Sequence, residues 1–181
     1  MLIRQLRRPF HVVRSTHHET TRRGAAPSAT VVRNAVEKAR SAVIPARACD
    51  GIVIGADTIV YIQGRIIGKP GSSAKAYQFL RLLSGRSHWV YTGLCLRDLR
   101  SGCVRTSYEK TKVVFRPLTP RVIERLIARG SPLDKAGGYA IQEDRGELIA
   151  RIEGSRTNVV GLPMELLRRE LAALQSVSSG C

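Results

Sequence analysis

Aromatic residues make up only 5% of this 181-residue chain. So sparse a set leaves little to stack on nucleobases, which argues against a single-strand nucleic-acid binder. Cysteine is scarce as well. Cys49, Cys95, Cys103 and Cys181 fall at irregular spacing with no C-x-x-C pair. That speaks against a zinc site or a disulfide frame and fits the reduced thiols of a cytoplasmic protein. No apolar run approaches the roughly 18–20 residues that a membrane span needs. The start carries Arg4, Arg7, Arg8 and Arg14 without an apolar segment behind them, so it does not read as a secretory signal. Acidic residues are the other shortage: 14 against 30 Lys and Arg, a formal net charge of +16. Such an excess can attract polyanions, but charge alone supplies only non-specific affinity. No recognition-helix or RNA-binding pattern accompanies it, so nucleic acid is not the expected partner. A basic surface around a site for a small anion is the competing explanation.

The hydrophobic fraction of 43% is ordinary, and the length suits one domain or two small lobes. There are no internal repeats. Residues 20–28 read as a loop around Gly24 and Pro27. Ser28 can cap a helix, and Val32, Ala35, Val36, Ala39 and Val43 recur at helical spacing until Pro45 ends it. Ile52–Ala56 reads as a buried strand. Ile59–Ile62 and Arg65–Ile67 flank Gln63-Gly64 as a two-residue hairpin. A helix is expected from Ser72 or Ser73 to Leu83, closed by Gly85. Trp89–Arg97 and Val104–Phe115 look like two strands joined near Ser101-Gly102. Pro120 opens a helix that runs to Gly130. Leu148–Ile152 suggests one more strand, and Pro163 starts a last amphipathic helix to about Leu174. The tail from Gln175 to Cys181 is expected to fray. Strands alternating with helices imply an α/β class, with a mixed β-sheet and flanking helices.

Several segments carry chemistry-bearing side chains. Asp57 follows the first buried strand in Gly55-Ala56-Asp57-Thr58, and it reads either as a solvated turn acid or as a carboxylate facing a cleft. The hairpin arms after it look similar in length, which would return Lys69 of Gly68-Lys69-Pro70 to the level of Asp57. A carboxylate sharing one mouth with an ammonium suits phosphoanhydride hydrolysis. Arg86, in Ser84-Gly85-Arg86-Ser87-His88, is a phosphate clamp or a surface turn residue. His88 fits a packed strand position better than a base. In Leu133–Gln142 two glycines lie beside an ion pair, and Gln142 offers an amide able to read a base edge. Glu153–Pro163 is a polar turn that enters a Pro-started helix.

Taken in order, these blocks resemble the Maf family, a group of nucleoside triphosphate pyrophosphatases once linked by name to septum formation. The resemblance covers about residues 2–174. It rests on Ala35-x-x-Lys38-Ala39, Gly55-Ala56-Asp57-Thr58, Gly68-Lys69-Pro70, Leu83-Ser84-Gly85-Arg86-x-His88, Thr92-Gly93, Lys135-Ala136-Gly137-x-Tyr139-x-Ile141-Gln142, and Ile152-x-Gly154 followed by Asn158-Val159-Val160-Gly161-Leu162-Pro163. It implies an elongated two-lobed fold with a central cleft, similar to inosine-triphosphate pyrophosphatases. A single domain over residues 1–175 would carry it, with 176–181 as a flexible tail.

The implied reaction converts dTTP or UTP, and modified nucleotides among its further substrates, to the monophosphate and pyrophosphate, with Mg²⁺ or Mn²⁺. In this reading Asp57 is the catalytic proton acceptor. Glu19 and Asp57 hold the metal, Lys38, Lys69 and Arg86 bind phosphates, and Thr58 and Gln142 influence the choice of base. A homodimer is also implied. The family's opening strand and its Ser-x-Ser-x-Arg-Arg loop have no counterpart here, since Met1-Leu2-Ile3 already corresponds to the helix that follows them. A start assigned too late is the expected reason; a weakened enzyme or an inactive nucleotide- or nucleic-acid-binding relative are the alternatives. His17 and His18 before Glu19 could complete a metal trio, although paired loop histidines are more commonly solvated.

Overall fold

The computed structural model describes residues 2–21, 24–46, 50–129 and 132–178, without the side chains of Pro132, Val177 and Ser178. Cys49, Gly130 and Cys181 lie outside the described residues.

After a 3-10 turn at Leu2–Leu6, the first long element is helix α1, Pro27–Arg40. Its N-cap is Ala26 and not Ser28, with Pro27 in the first turn. The helix stops before Val43, short of the expectation from spacing. Ser41 turns both its backbone N–H and its hydroxyl onto the Glu37 carbonyl. Beyond it, Val43 N–H donates to Arg14 O and Ala42 bridges Ser15, so pairing with an extended segment replaces the next helical turn.

Strand β1, Ile52–Ile62, is continuous and contains Asp57, where two short strands separated by that residue were expected. The hairpin to β2, Arg65–Ile67, turns through Gln63 and Gly64 at φ 49° and 75°. Positive φ at both central residues matches the twist of a two-residue hairpin. The arms are unequal, however: eleven residues against three, with the ladder ending at Val60↔Ile67.

Helix α2, Ser73–Leu83, is capped by the Ser72 hydroxyl, which accepts from Lys75 N–H. Strands β3, Ser87–Asp98, and β4, Val104–Phe115, follow. Their turn is held by the Asp98 carboxylate, which accepts from Arg100 and Ser101 N–H. Helix α3, Pro120–Arg129, strand β5, Ile149–Glu153, and the short helix α4, Arg156–Val160, lead to helix α5, Met164–Ser178. This last helix runs past Leu174 into the segment expected to fray, because no Gly or Pro stands between Leu174 and Ser178 to stop it.

The five strands form one sheet in the order β2-β1-β3-β4-β5, antiparallel at both of its outer pairs. The α/β class with flanking helices therefore holds. The chain divides into two compact units: residues 1–57, 92–109 and 161–181, and residues 58–91 and 110–160. In the first, Leu94, Leu96, Met164, Leu167 and Leu174 form a core, and a smaller cluster joins Ala35, Ala39 and Cys95. In the second, Val60, Ile62, Leu80, Leu83, Val113 and Phe115 are central. Among the described residues, no helix is long and apolar enough to cross a membrane.

Candidate active site

The first unit builds its centre where α1 meets β1. A Cβ at Gly55 would lie 2.2 Å from the Ala35 carbonyl oxygen, and one at Gly93 would lie 2.4 Å from the Val31 carbonyl. Backbone therefore rests on backbone, a closeness that no larger residue allows. The helix answers with small side chains, Ala35 and Ala39, both buried. Asn34 and Lys38 stand four residues apart, which places them on one side of α1. From there both reach Asp57.

Asp57 is only 3% exposed. Its Oδ1 accepts from Lys38 Nζ at 2.7 Å and its Oδ2 from Asn34 Nδ2 at 2.9 Å. Lys38 Nζ also donates to Glu19 Oε1 at 2.7 Å and to Ala56 O at 3.2 Å. Burial works against the ammonium, but the hydrogen bonds and charges of Asp57 and Glu19 outweigh it and hold the Lys38 pKa above its usual value.

Of the residues singled out in the sequence, Glu19, Lys38 and Asp57 thus come together. Lys38, expected to face phosphates, is held by the two carboxylates. Asp57 lies within a strand and is buried, not at a strand end, so the solvated-turn reading fails. Hard carboxylate oxygens suit a divalent cation such as Mg²⁺, which commonly takes one or two carboxylates and fills its shell with water and phosphate oxygens. The convergence of Glu19 and Asp57 on a single cationic nitrogen fits that donor set. Among the described residues no group of three His, Cys, Asp or Glu could hold a metal, so His17 and His18 complete no trio with Glu19.

The other singled-out residues belong to the second unit. Thr58 is half-buried on β1. Lys69 is exposed in the loop after β2, and that loop is tied to the glycine turn by Gly137 N–H donating to Gly68 O at 3.0 Å. Gly137 and Gly138 take φ 74° and 76°, and a Cβ at Gly137 would lie 2.9 Å from Val60 Cγ2. Arg86 is exposed and gives one guanidinium N–H to Leu82 O at 2.7 Å, closing the last turn of α2. Gln142 is exposed on the wall of a pocket of about 410 Å³, beside Tyr139, Glu143 and Arg145. His88 is a packed strand residue, as expected. It is 1% exposed, hydrogen-bonded through Nε2 to the Tyr139 hydroxyl at 2.8 Å, and pushed by burial down to about 4.

Two features escaped the sequence reading. Asn34 is 2% exposed and touches Asp57. Its position one helical turn before Lys38 was the available signal. The polar turn near residue 155 is a fastening: buried Asn158 donates to Val90 O and to Thr111 Oγ1, and the Thr111 hydroxyl also accepts from Ser155 N–H.

Comparison with known proteins gives a consistent picture. The family profile described as Maf-like protein matches residues 1–174. A protein of Moorella thermoacetica named dTTP/UTP pyrophosphatase is 43% identical over 171 residues, 94% of this chain and 87% of the relative. Proteins of the same name from Pelotomaculum thermopropionicum and Bacillus cereus (strain ATCC 10987) are 40% and 42% identical, over 92% and 90% of this chain and 86% and 78% of their own lengths.

Proposed function

The chain belongs to the Maf family, and on that footing we propose that it is a nucleoside triphosphate pyrophosphatase acting on dTTP and UTP in the cytoplasm. The observation that carries the mechanism is the buried Asp57 carboxylate, gripped by Asn34 and Lys38 and linked through Lys38 to Glu19.

The hydrogen bonds from Lys38 and Asn34 use two of the four lone-pair positions of Asp57, which leaves acceptor capacity for a water molecule. In the proposed step that water attacks the α-phosphorus and gives its proton to Asp57. The bond from the α-phosphorus to the bridging oxygen breaks, and pyrophosphate leaves with the electron pair. Glu19 and Asp57 would hold a divalent cation, Mg²⁺ or Mn²⁺, which when bound offsets phosphate charge and polarises the phosphoryl oxygens. Lys38 restrains both carboxylates and keeps a positive charge beside the place where negative charge develops. Lys69 and Arg86 are proposed phosphate contacts, Arg86 having four further N–H donors beyond the one given to Leu82. Thr58 and Gln142 are proposed to bear on the choice of base. A homodimer is part of the same proposal, and light scattering at twice the 19.9 kDa chain mass is its signature.

The test is pyrophosphate release from dTTP and UTP by the purified protein with Mg²⁺ or Mn²⁺, wild type against Asp57→Asn. Removing a general base lowers the rate by about 10²–10⁴-fold. An Asp57→Asn variant as fast as wild type would remove the mechanism. A wild type without turnover would favour a non-catalytic nucleotide-binding protein.

A further inference from the structure

Asn34 is a polar side chain with almost no contact with solvent, 2% exposed, on a helix that also buries Thr30, Val31, Ala35 and Ala39. Such a group is costly to bury unless both ends of its amide are used. Both are. Its Nδ2 donates to Asp57 Oδ2 at 2.9 Å, and its Oδ1 accepts from the backbone N–H of Thr20 at 3.4 Å. The amide can face only one way, because a carboxylate offers no proton and a peptide N–H accepts none.

Thr20 adjoins Glu19, and among the described residues from Thr16 to Thr21 the segment carries no helix or strand. From the outer side, Arg33 Nη2 donates to Thr20 O at 3.0 Å. The same peptide region is thus held by neighbouring residues of one helix turn, and the inner holder is also a ligand of Asp57. We infer that Asn34 is the positioning residue of the centre: its carboxamide fixes the Asp57 carboxylate and fastens the loop that presents Glu19 to the same point. This rests on the pyrophosphatase reading and adds to it a residue that sets the two carboxylates relative to each other.

Two substitutions separate the halves of the amide. Asn34→Asp keeps an acceptor for Thr20 N–H but removes the donor to Asp57 and sets a second carboxylate against it. Asn34→Leu keeps the γ-branched shape in a larger side chain and removes both contacts. A hydrogen bond to a charged group contributes about 1.5–3 kcal/mol, so kcat for pyrophosphate release is expected to fall roughly 10- to 100-fold in each variant, with KM within about twofold. Hydrogen exchange at the Thr20 amide is expected to accelerate at least about tenfold in Asn34→Leu and to stay near wild type in Asn34→Asp. Were Asn34 a mere loop anchor, Asn34→Asp would keep its kcat. A folded Asn34→Leu protein with wild-type kcat, or with unchanged Thr20 exchange, overturns the inference. Absence of turnover in wild type itself would overturn the enzymatic reading instead, and exchange at Thr20 would then decide the fastening by itself.

Discussion

Substituting Gly55 by alanine tests whether the contact between α1 and β1 sets the catalytic geometry. The added Cβ would sit 2.2 Å from the Ala35 carbonyl oxygen and 3.0 Å from the Ala39 Cβ and backbone nitrogen. The closest comfortable carbon–oxygen approach is about 3.3 Å. The shortfall of roughly 1 Å falls on backbone atoms of a helix, which cannot swing aside as a flexible side chain can, so α1 has to retreat from the strand. The Asn34–Asp57 and Lys38–Asp57 bonds, 2.9 and 2.7 Å in the native protein, then stretch beyond hydrogen-bonding reach. Overpacking of this kind costs about 1–3 kcal/mol, which for a chain of this size lowers Tm by about 2–12 °C. A misplacement of about 1 Å at reacting groups costs on the order of 10²-fold in rate. Pyrophosphate release and thermal unfolding on the same preparation measure both effects. A Gly55→Ala protein that melts with wild type and turns over dTTP or UTP at the wild-type rate would refute the claim that this contact positions Asp57.

Two further perturbations read other parts of the molecule. Lys38→Met removes the cation between Glu19 and Asp57 and leaves buried Asp57 with the hydrogen bond from Asn34. Breaking a fully buried pair costs about 3–5 kcal/mol, and because Lys38 and Glu19 are 22% and 36% exposed the loss in urea unfolding is expected at about 2–3 kcal/mol; a loss below about 0.5 kcal/mol would show the pair to be a surface contact. His88 is kept neutral by burial, its pKa depressed from 6.5 to about 4. The unfolded chain binds this proton first, so stability is full above pH 6.5 and declines as pH falls through 4, by at most about 3 kcal/mol. Denaturant unfolding between pH 7 and 4 should therefore show a shallower acid decline in His88→Leu than in wild type, and identical slopes would contradict the buried neutral imidazole.

The sequence by itself determined a good deal. Alternating β-branched runs, the Gln63-Gly64 turn and the Ser72 cap are local signals, and β4, α2 and the hairpin stand where those signals put them. The ordered blocks around Asp57, Lys69 and Gln142 fixed the family, because residue identity and spacing suffice for that. Glu19 and Lys38 were legible for the same reason. Only the tertiary structure decided that α1 ends at Arg40, since the stop comes from pairing with residues 14 and 15, far from it in sequence. Only it decided that Asp57 sits inside an unbroken strand, and that the cation on Asp57 comes from α1, nineteen residues earlier in the chain. Local pattern carries no record of which helix a strand will meet. That meeting depends on two glycines bare enough for a helix backbone to rest on them, and it is what turns an asparagine unremarked in the sequence into a ligand of the central carboxylate.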